Sequence, residues 1–460
     1  MNKYKLIIII TCILFPIPAG FSQGIIPSLN PVTKITSTDT PETIALKAAH
    51  VKPTPRQLAW QELEVTCFLH FGMNTFTNRE WGLKNQDPKL FNPTQLDANQ
   101  WAQAAKSAGA KLMLIVAKHH DGFCLWPTRY TDYCVRSSPW KEGQGDVVAE
   151  IAEACKKAGL RFGFYLSPWD ISSPIYGTDE YNTCFKNQLR ELLTHYGDVS
   201  EVWFDGACGE GPNGKKQVYD WPGYYSVVRE LQPNAVIAIT GPDVRWVGNE
   251  SGDGNETEWS VVQDSTGLRW YPSEVDVSIR PGWFYHAAED SLVKSPEELV
   301  EIYFRSVGRN SVLLLNIPPD RRGLISENDI RSLEGMRSIL DATFRINLAE
   351  SAKCTPVSGA LPGSTEYDLK ENKIFDCMML QENIRNGQRV AEFSVEAFID
   401  GRYKEICHGT TIGYKRLLRF NPVTTRQVRL IIHSSRDTAE IAGFGIYKMP
   451  DARYQMPDTR

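Results

Sequence analysis

The chain is expected to be an α/β protein: a (β/α)8-like TIM barrel followed by a C-terminal β-sandwich. Three observations lead there. Short apolar runs alternate with longer amphipathic stretches from about Arg56 to Leu348, the pattern of strand–helix units around a parallel sheet. Polar residues recur just after those apolar runs, where a barrel mounts its functional groups. From about Ser351 the long amphipathic stretches stop and only short strand-like runs remain, which suits a sandwich of about a hundred residues.

Residues 1–23 have the layout of a signal peptide. Lys3 and Lys5 give the positive start, Leu6 to Pro16 the apolar run, and Gly20-Phe21-Ser22 a cleavage context before Gln23. That run is short for a membrane span, and Thr11 makes Cys12 a poor lipoprotein site. No other segment is long and apolar enough to cross a bilayer. The mature protein is therefore expected to be exported, to the periplasm or the outside. Residues 24–54, rich in Pro, Thr and Ser, read as an extended lead-in. Residues 55–348 make the barrel. Its strands are predicted at Val65 to His70, Lys111 to Ala117, Leu160 to Leu166, Val199 to Phe204, Ala235 to Thr240 and Ser311 to Ile317. Helices are predicted at Leu96 to Ala108, Val147 to Gly159 and Glu180 to Tyr196, the last stopped by Gly197. Residues 349–460 make the sandwich, with strands such as Ala391 to Ile399, Leu417 to Phe420 and Gln427 to Ile432.

The strand tips carry the candidate chemistry. The first ends at His70-Phe71-Gly72, the second leads into His119-His120-Asp121-Gly122-Phe123, and the third into Tyr165-Leu166-Ser167-Pro168-Trp169-Asp170. The fourth, Glu201-Val202-Trp203-Phe204, ends at Asp205. An acid at the tip of an apolar strand is costly to desolvate unless it has a task, so Asp205 is the candidate nucleophile or base. Adjacent His119 and His120 on an extended chain point to opposite sides, so only one should share a ligand with His70. Imidazoles bonded to hydroxyl groups fit better than a metal site. Glu80-Trp81 pairs an acid with an indole, a combination suited to a hydroxylated ligand. Asp121 and Asp170 read as loop-holding acids. Glycoside chemistry would need a second carboxyl beside Asp205; Glu250, Glu256 and Glu258 in the Gly-rich stretch 249–258, together with Glu80 and Glu274, are all open.

Composition narrows the partners. Loss of Lys3 and Lys5 with the leader takes the formal charge from −5 to −7, which attracts neither nucleic acid nor anionic lipid. Aromatic residues are 11% of the chain, and loop aromatics beside polar residues suit sugar faces. The cysteines after residue 23 show no metal-type spacing and read mostly as small core residues. There is no G-x-S-x-G elbow and no phosphate loop.

In this order, His70-Phe71-Gly72, Glu80-Trp81, His119-His120-Asp121-Gly122-Phe123, Tyr165 and Trp203-Phe204-Asp205-Gly206 resemble the α-L-fucosidases of glycoside hydrolase family 29. The resemblance covers about Arg56 to Leu348. It implies a retaining exo-hydrolase acting on a fucosylated oligosaccharide, with neither metal nor organic cofactor. Asp205 matches the family nucleophile. His70, Glu80, Trp81, His119, His120, Tyr165 and Trp203 match its fucose-pocket residues, and Trp283 is expected beside them. Gly241 to Glu250 and Ile279 to Phe284 look like the subgroup that prefers α-1,3 and α-1,4 linkages, in which Glu250 matches the acid/base. The region from Ser351 to Tyr447 is similar to galactose-binding-like sandwiches. A fucose-binding protein without catalysis, and a related hydrolase of other sugar or linkage specificity, are the competing expectations.

Overall fold

The computed structural model describes residues 31–84 and 86–450. The predicted signal peptide, with Cys12, lies outside them. Residues 41–49, inside the stretch read as an extended lead-in, form helix α1 (Pro41–Ala49). Its start is specified locally: Thr40 caps it, Pro41 sits at the first position and Glu42 in the first turn. Composition over thirty residues hid this nine-residue signal.

Eight parallel strands make the barrel: β1 (Val65–Leu69), β2 (Leu112–Lys118), β3 (Arg161–Leu166), β4 (Glu201–Phe204), β5 (Val236–Ile239), β6 (Arg245–Trp246), β9 (Ser273–Ser278) and β10 (Val312–Asn316). Their order around the sheet is β5-β4-β3-β2-β1-β10-β9-β6. A parallel bridge between Ala238 and Val244 brings the two edges nearly together. Helices α2 (Pro55–Gln61), α3 (Met73–Thr77), α4 (Ala98–Ser107), α5 (Val147–Ala158), α6 (Asp179–His195), α7 (Trp221–Leu231), α8 (Pro296–Arg305) and α9 (Glu327–Phe344) accompany the strands. No helix separates β5 from β6, and a hairpin, β7 (Val261–Asp264) and β8 (Gly267–Trp270), precedes β9. Among the described residues, no helix is long and apolar enough to cross a membrane.

The period-2 alternation of strands sorts side chains to the two sides of the barrel wall. Phe68, Leu112, Leu114, Val116, Val312 and Leu314 pack together inside. Cys67, Leu69, Met113, Ile115, Leu313 and Leu315 pack outward in the helix-facing core. On β4 the same alternation sends Trp203 to the inner group and Val202 and Phe204 to the outer one. Asp205 therefore continues the inward series Glu201, Trp203, Asp205. Helix caps fix the wrapping: Thr54 and Ser295 make capping boxes, Asp146 caps α5, and Gly159 closes it at φ 71°.

The C-terminal domain is antiparallel: β11 (Lys353–Pro356), β12 (Thr365–Glu382), β13 (Val390–Ile399), β14 (Arg402–Gly409), β15 (Arg416–Ser435) and β16 (Ile441–Tyr447). The runs Leu417 to Phe420 and Gln427 to Ile432 prove to be parts of one strand, β15. It pairs with β12 along a ladder with register shifts near Asp368 and Phe375. Such shifts bend a long strand, so β12 and β15 serve both halves of the domain.

Candidate active site

Asp205 stands one residue beyond β4. Tyr165 Oη, from neighbouring β3, donates to its Oδ2 at 3.0 Å, and the Ala207 N–H donates to its Oδ1 at 2.7 Å. Both oxygens are thus oriented, while the side chain remains 26% exposed toward the barrel mouth. Below it, Trp203 Nε1 donates to Glu274 Oε1 at 2.7 Å. Phe68 completes the base of the pocket, with its ring centre 5.4 Å from Trp203 and 5.8 Å from Tyr165.

Three imidazoles line the wall. Asn316 Nδ2 donates to the Trp283 carbonyl at 2.8 Å, so its Oδ1 is the acceptor for His70 Nδ1–H at 2.9 Å. His70 Nε2 is then a free acceptor. Ser167 Oγ donates to the Trp169 carbonyl at 2.7 Å and accepts from His120 Nδ1–H at 2.8 Å. His120 Nε2, also an acceptor, lies 3.7 Å from Asp205 Oδ2. Asn74 Nδ2 approaches His119 Nδ1 at 3.4 Å, which leaves Nε2–H of that ring as a donor. Burial pushes His70 down to about 3, and holds His119 well below and His120 below the usual imidazole range, against the opposing pull of Asp205 on His120. All three are neutral near pH 7, so the wall offers directional hydrogen bonds rather than positive charge.

His119 and His120 both face this pocket, contrary to the expectation from strand alternation. Their ring centres are 4.2 Å apart. The chain has already left β2, and Gly122 at φ 88° closes a turn onto the His119 carbonyl. His119 packs on His70 and Phe284; His120 stacks under Trp81 at 5.5 Å and beside Trp169 at 5.0 Å. Trp81 is 63% exposed at the rim. Glu80 accepts from the N–H groups of Trp283 and Phe284 at 2.8 and 3.2 Å and from His286 at 2.6 Å. It clasps the 283–286 loop and so presses Trp283 against His70, at 5.1 Å between rings.

The five open carboxyl candidates now separate. Glu256 is ion-paired with Arg309 and Arg416. Glu258 is buried between Arg245 and Asn255. Glu274 is buried in the barrel floor, and Glu80 serves the clasp. Glu250 Oε2 instead accepts from the pocket indole Trp283 Nε1 at 3.2 Å. Asp121 and Asp170 hold loops: Asp170 accepts from Ser172 and Ser173 N–H and from Lys118, and Asp121 from Phe123 N–H.

Two residues escaped the sequence reading. Asp276, on the inner face of β9, accepts from Trp246 Nε1 at 2.8 Å. Burial, with Glu250 and Asp205 adding repulsion, pushes it up to about 7. Glu201 accepts from Trp60 Nε1 at 2.9 Å and faces Glu274 across the floor. The signal for Asp276 was present in Ser273-Glu274-Val275-Asp276-Val277-Ser278: acids at alternate positions of a β-branched run.

Known proteins share this architecture. A family model described as α-L-fucosidase matches residues 40–343. The chain is 42% identical over 444 residues to α-L-fucosidase 1 of Arabidopsis thaliana, covering 86% of this chain and 87% of that protein. A crystal structure of a candidate α-L-fucosidase from Bacteroides ovatus superposes with a TM-score of 0.87 at 50% identity, covering 93% of this chain and 79% of that one. A Ruminococcus gnavus glycoside hydrolase family 29 fucosidase, solved with fucose, gives 0.80 at 31% identity over 87% and 96% of the two chains.

Proposed function

Given that this chain belongs to the α-L-fucosidases of glycoside hydrolase family 29, we propose that it releases α-1,3- or α-1,4-linked L-fucose from branched glycans, with retention, through Asp205 and Glu250. The observation that carries the catalytic part is the oriented, half-open Asp205 carboxylate at the base of an aromatic and imidazole pocket. Asp205 attacks the anomeric carbon and forms a covalent fucosyl-enzyme. Glu250 protonates the departing glycosidic oxygen, then takes a proton from the water that hydrolyses the intermediate. His70 and His120 accept from fucose hydroxyls through Nε2, and His119 donates. Trp81, Trp203 and Trp283 give apolar surface to the ring and its methyl edge, Tyr165 steadies the nucleophile, and Glu80 acts through the loop it clasps.

The linkage preference rests on the Gly241–Glu250 and Ile279–Phe284 segments. In its favour, Trp246 is 41% exposed and anchored on Asp276, on the Glu250 side of the pocket. Such a ring can carry the neighbouring sugar, whose binding lowers the barrier only when both sugars are present. Lewis a and Lewis x trisaccharides should be cleaved much faster than 2'-fucosyllactose, and simple aryl fucosides slowly. Equal or better kcat/KM on 2'-fucosyllactose would overturn the linkage and leave the fucosidase. Export to the periplasm or outside belongs to the same proposal, and N-terminal sequencing of the mature protein tests it, with a start near Gln23 expected.

A further inference from the structure

The stretch from Val247 to Ser260 that carries Glu250 has no helix or strand of its own. Gly248 and Gly252 flank the glutamate at φ 103° and 82°. Backbone of this kind has little stiffness, so its shape depends on what holds it. In its middle Asn249 donates to the Asp253 carbonyl at 2.9 Å, and the barrel holds Asp253 and Gly254 through Arg305 and Arg309. The leading end is held by the barrel: Val247 N–H donates to the Glu274 carbonyl at 3.0 Å, and Trp246 to Asp276. The trailing end is gripped in large part by the C-terminal domain. Arg416 donates to the Glu256 carbonyl at 2.8 Å and to Glu256 Oε2 at 2.7 Å, and Thr410 Oγ1 donates to the same carbonyl at 2.8 Å. Thr411 Oγ1 accepts from Glu258 N–H at 2.9 Å. Gln388 bridges the Glu258 carbonyl and the Ser260 N–H at 2.9 and 2.7 Å. The Arg436 guanidinium lies 3.4 Å over the Trp259 ring. Gln388, Thr411 and Arg416 are themselves buried. The Thr411 and Gln388 hydrogen bonds are buried as well and restrict the loop more firmly than surface pairs would, while Glu256 keeps its carboxylate toward solvent.

We propose that the C-terminal domain positions the acid/base: Arg416, with Thr411 and Gln388, sets where Glu250 stands relative to the departing oxygen. The inference rests on Glu250 being that group. These are positioning residues; they reach the reaction through the loop. A carboxyl proton must lie within hydrogen-bond reach of the leaving oxygen, and a displacement of about 1 Å can cost about a hundredfold in rate. Nucleophilic attack by Asp205, built on β4, does not pass through this loop.

The test uses the full-length protein and aryl fucosides of graded leaving-group acidity. Poor leaving groups need protonation and good ones do not, so a misplaced acid steepens the dependence on leaving-group pKa of kcat/KM, which reports formation of the fucosyl-enzyme alone. Arg416→Ala should lose about tenfold or more with the poorest leaving group and less than about threefold with the best. Thr411→Val should move the same way by less, and Arg416→Lys should recover part of the loss. A smaller folded fraction lowers every substrate alike, so the slope survives partial instability; if Arg416→Ala does not fold, Thr411→Val and Arg416→Lys carry the comparison. An unchanged slope in these variants, beside a steepened slope in Glu250→Ala, overturns the positioning role alone. An unchanged slope in Glu250→Ala overturns the acid/base assignment beneath it.

Discussion

Asp205, the proposed nucleophile, is held by a phenol on one oxygen and a backbone N–H on the other, so the direction of its carboxylate is set before substrate arrives. Asp205→Asn should keep the fold and lower kcat by about 10⁴-fold, roughly 5 kcal/mol of barrier. With Asp205→Ala, azide should enter from the vacated face and give β-fucosyl azide. Glu250→Ala should instead give α-fucosyl azide, with kcat/KM on good leaving groups largely kept. NMR of the two azides separates the roles; the same anomer from both variants would refute the assignment. Asp205 was legible in sequence because an acid ended an otherwise apolar run. Glu250 was not separable from Glu256 and Glu258 by residue type, and only their partners, Trp283 against Arg416 and Arg245, distinguish them.

The turn after β2 and the floor between β4 and β9 decide how these residues meet. Gly122 is left-handed, and a Cβ there would run into the Asp170 carboxylate. Gly122→Ala should cost on the order of 2 kcal/mol and lower kcat/KM about tenfold or more by displacing His119 and His120; wild-type kinetics would show that the turn does not set their places. In the floor, Glu201 and Glu274 each accept one indole N–H, and their other oxygens face one another. Burial pushes Glu201 up to about 7, and burial with Glu201 beside it holds Glu274 well above the usual carboxyl range. Both folded-state values are raised, so the stabilisation is whole below about pH 4.5 and is lost as pH climbs toward and past 7. Glu274→Gln puts an amide donor in place of the shared proton. The difference in Tm between wild type and this variant should shift by roughly 2–4 °C against wild type from about pH 5 to about pH 8. A pH-independent difference would mean that no proton is shared. The first five barrel strands and β10 could be read from apolar runs. β9 was missed because its inward positions are acids, which makes a buried strand look like a surface one.

At the scale of the molecule, the C-terminal domain keeps a core of its own but is joined to the barrel through a continuous apolar seam. Cys377, Leu417, Tyr447 and Met449 belong to the same apolar cluster as the barrel helices, and the Tyr447 ring meets Phe344 at 5.0 Å. Glu64, at the base of the barrel, accepts from Lys415 and Tyr414 at 2.6 and 3.1 Å. Calorimetry should therefore give one cooperative transition, and a chain ending at residue 348 should aggregate when expressed. Two well-resolved transitions would show the halves to be independent. The change from strand–helix units to strands alone was visible near Ser351 in the sequence. The seam between the halves was not, because residues such as Leu417 and Tyr447 look like any sandwich interior until their neighbours are known.

The crossing between the halves is itself thin: Arg345 and Ile346 lie exposed just past α9. Among the described residues, everything that keeps the halves in register is noncovalent, so the peptide bond there is redundant once folding is complete. A molecule nicked by trypsin after Arg345 should run as two bands on a denaturing gel, elute as one particle under native conditions, and still turn over substrate. Unfolded and mixed again, the two pieces should recover less activity than the intact chain, because the tether that made their first encounter intramolecular is gone.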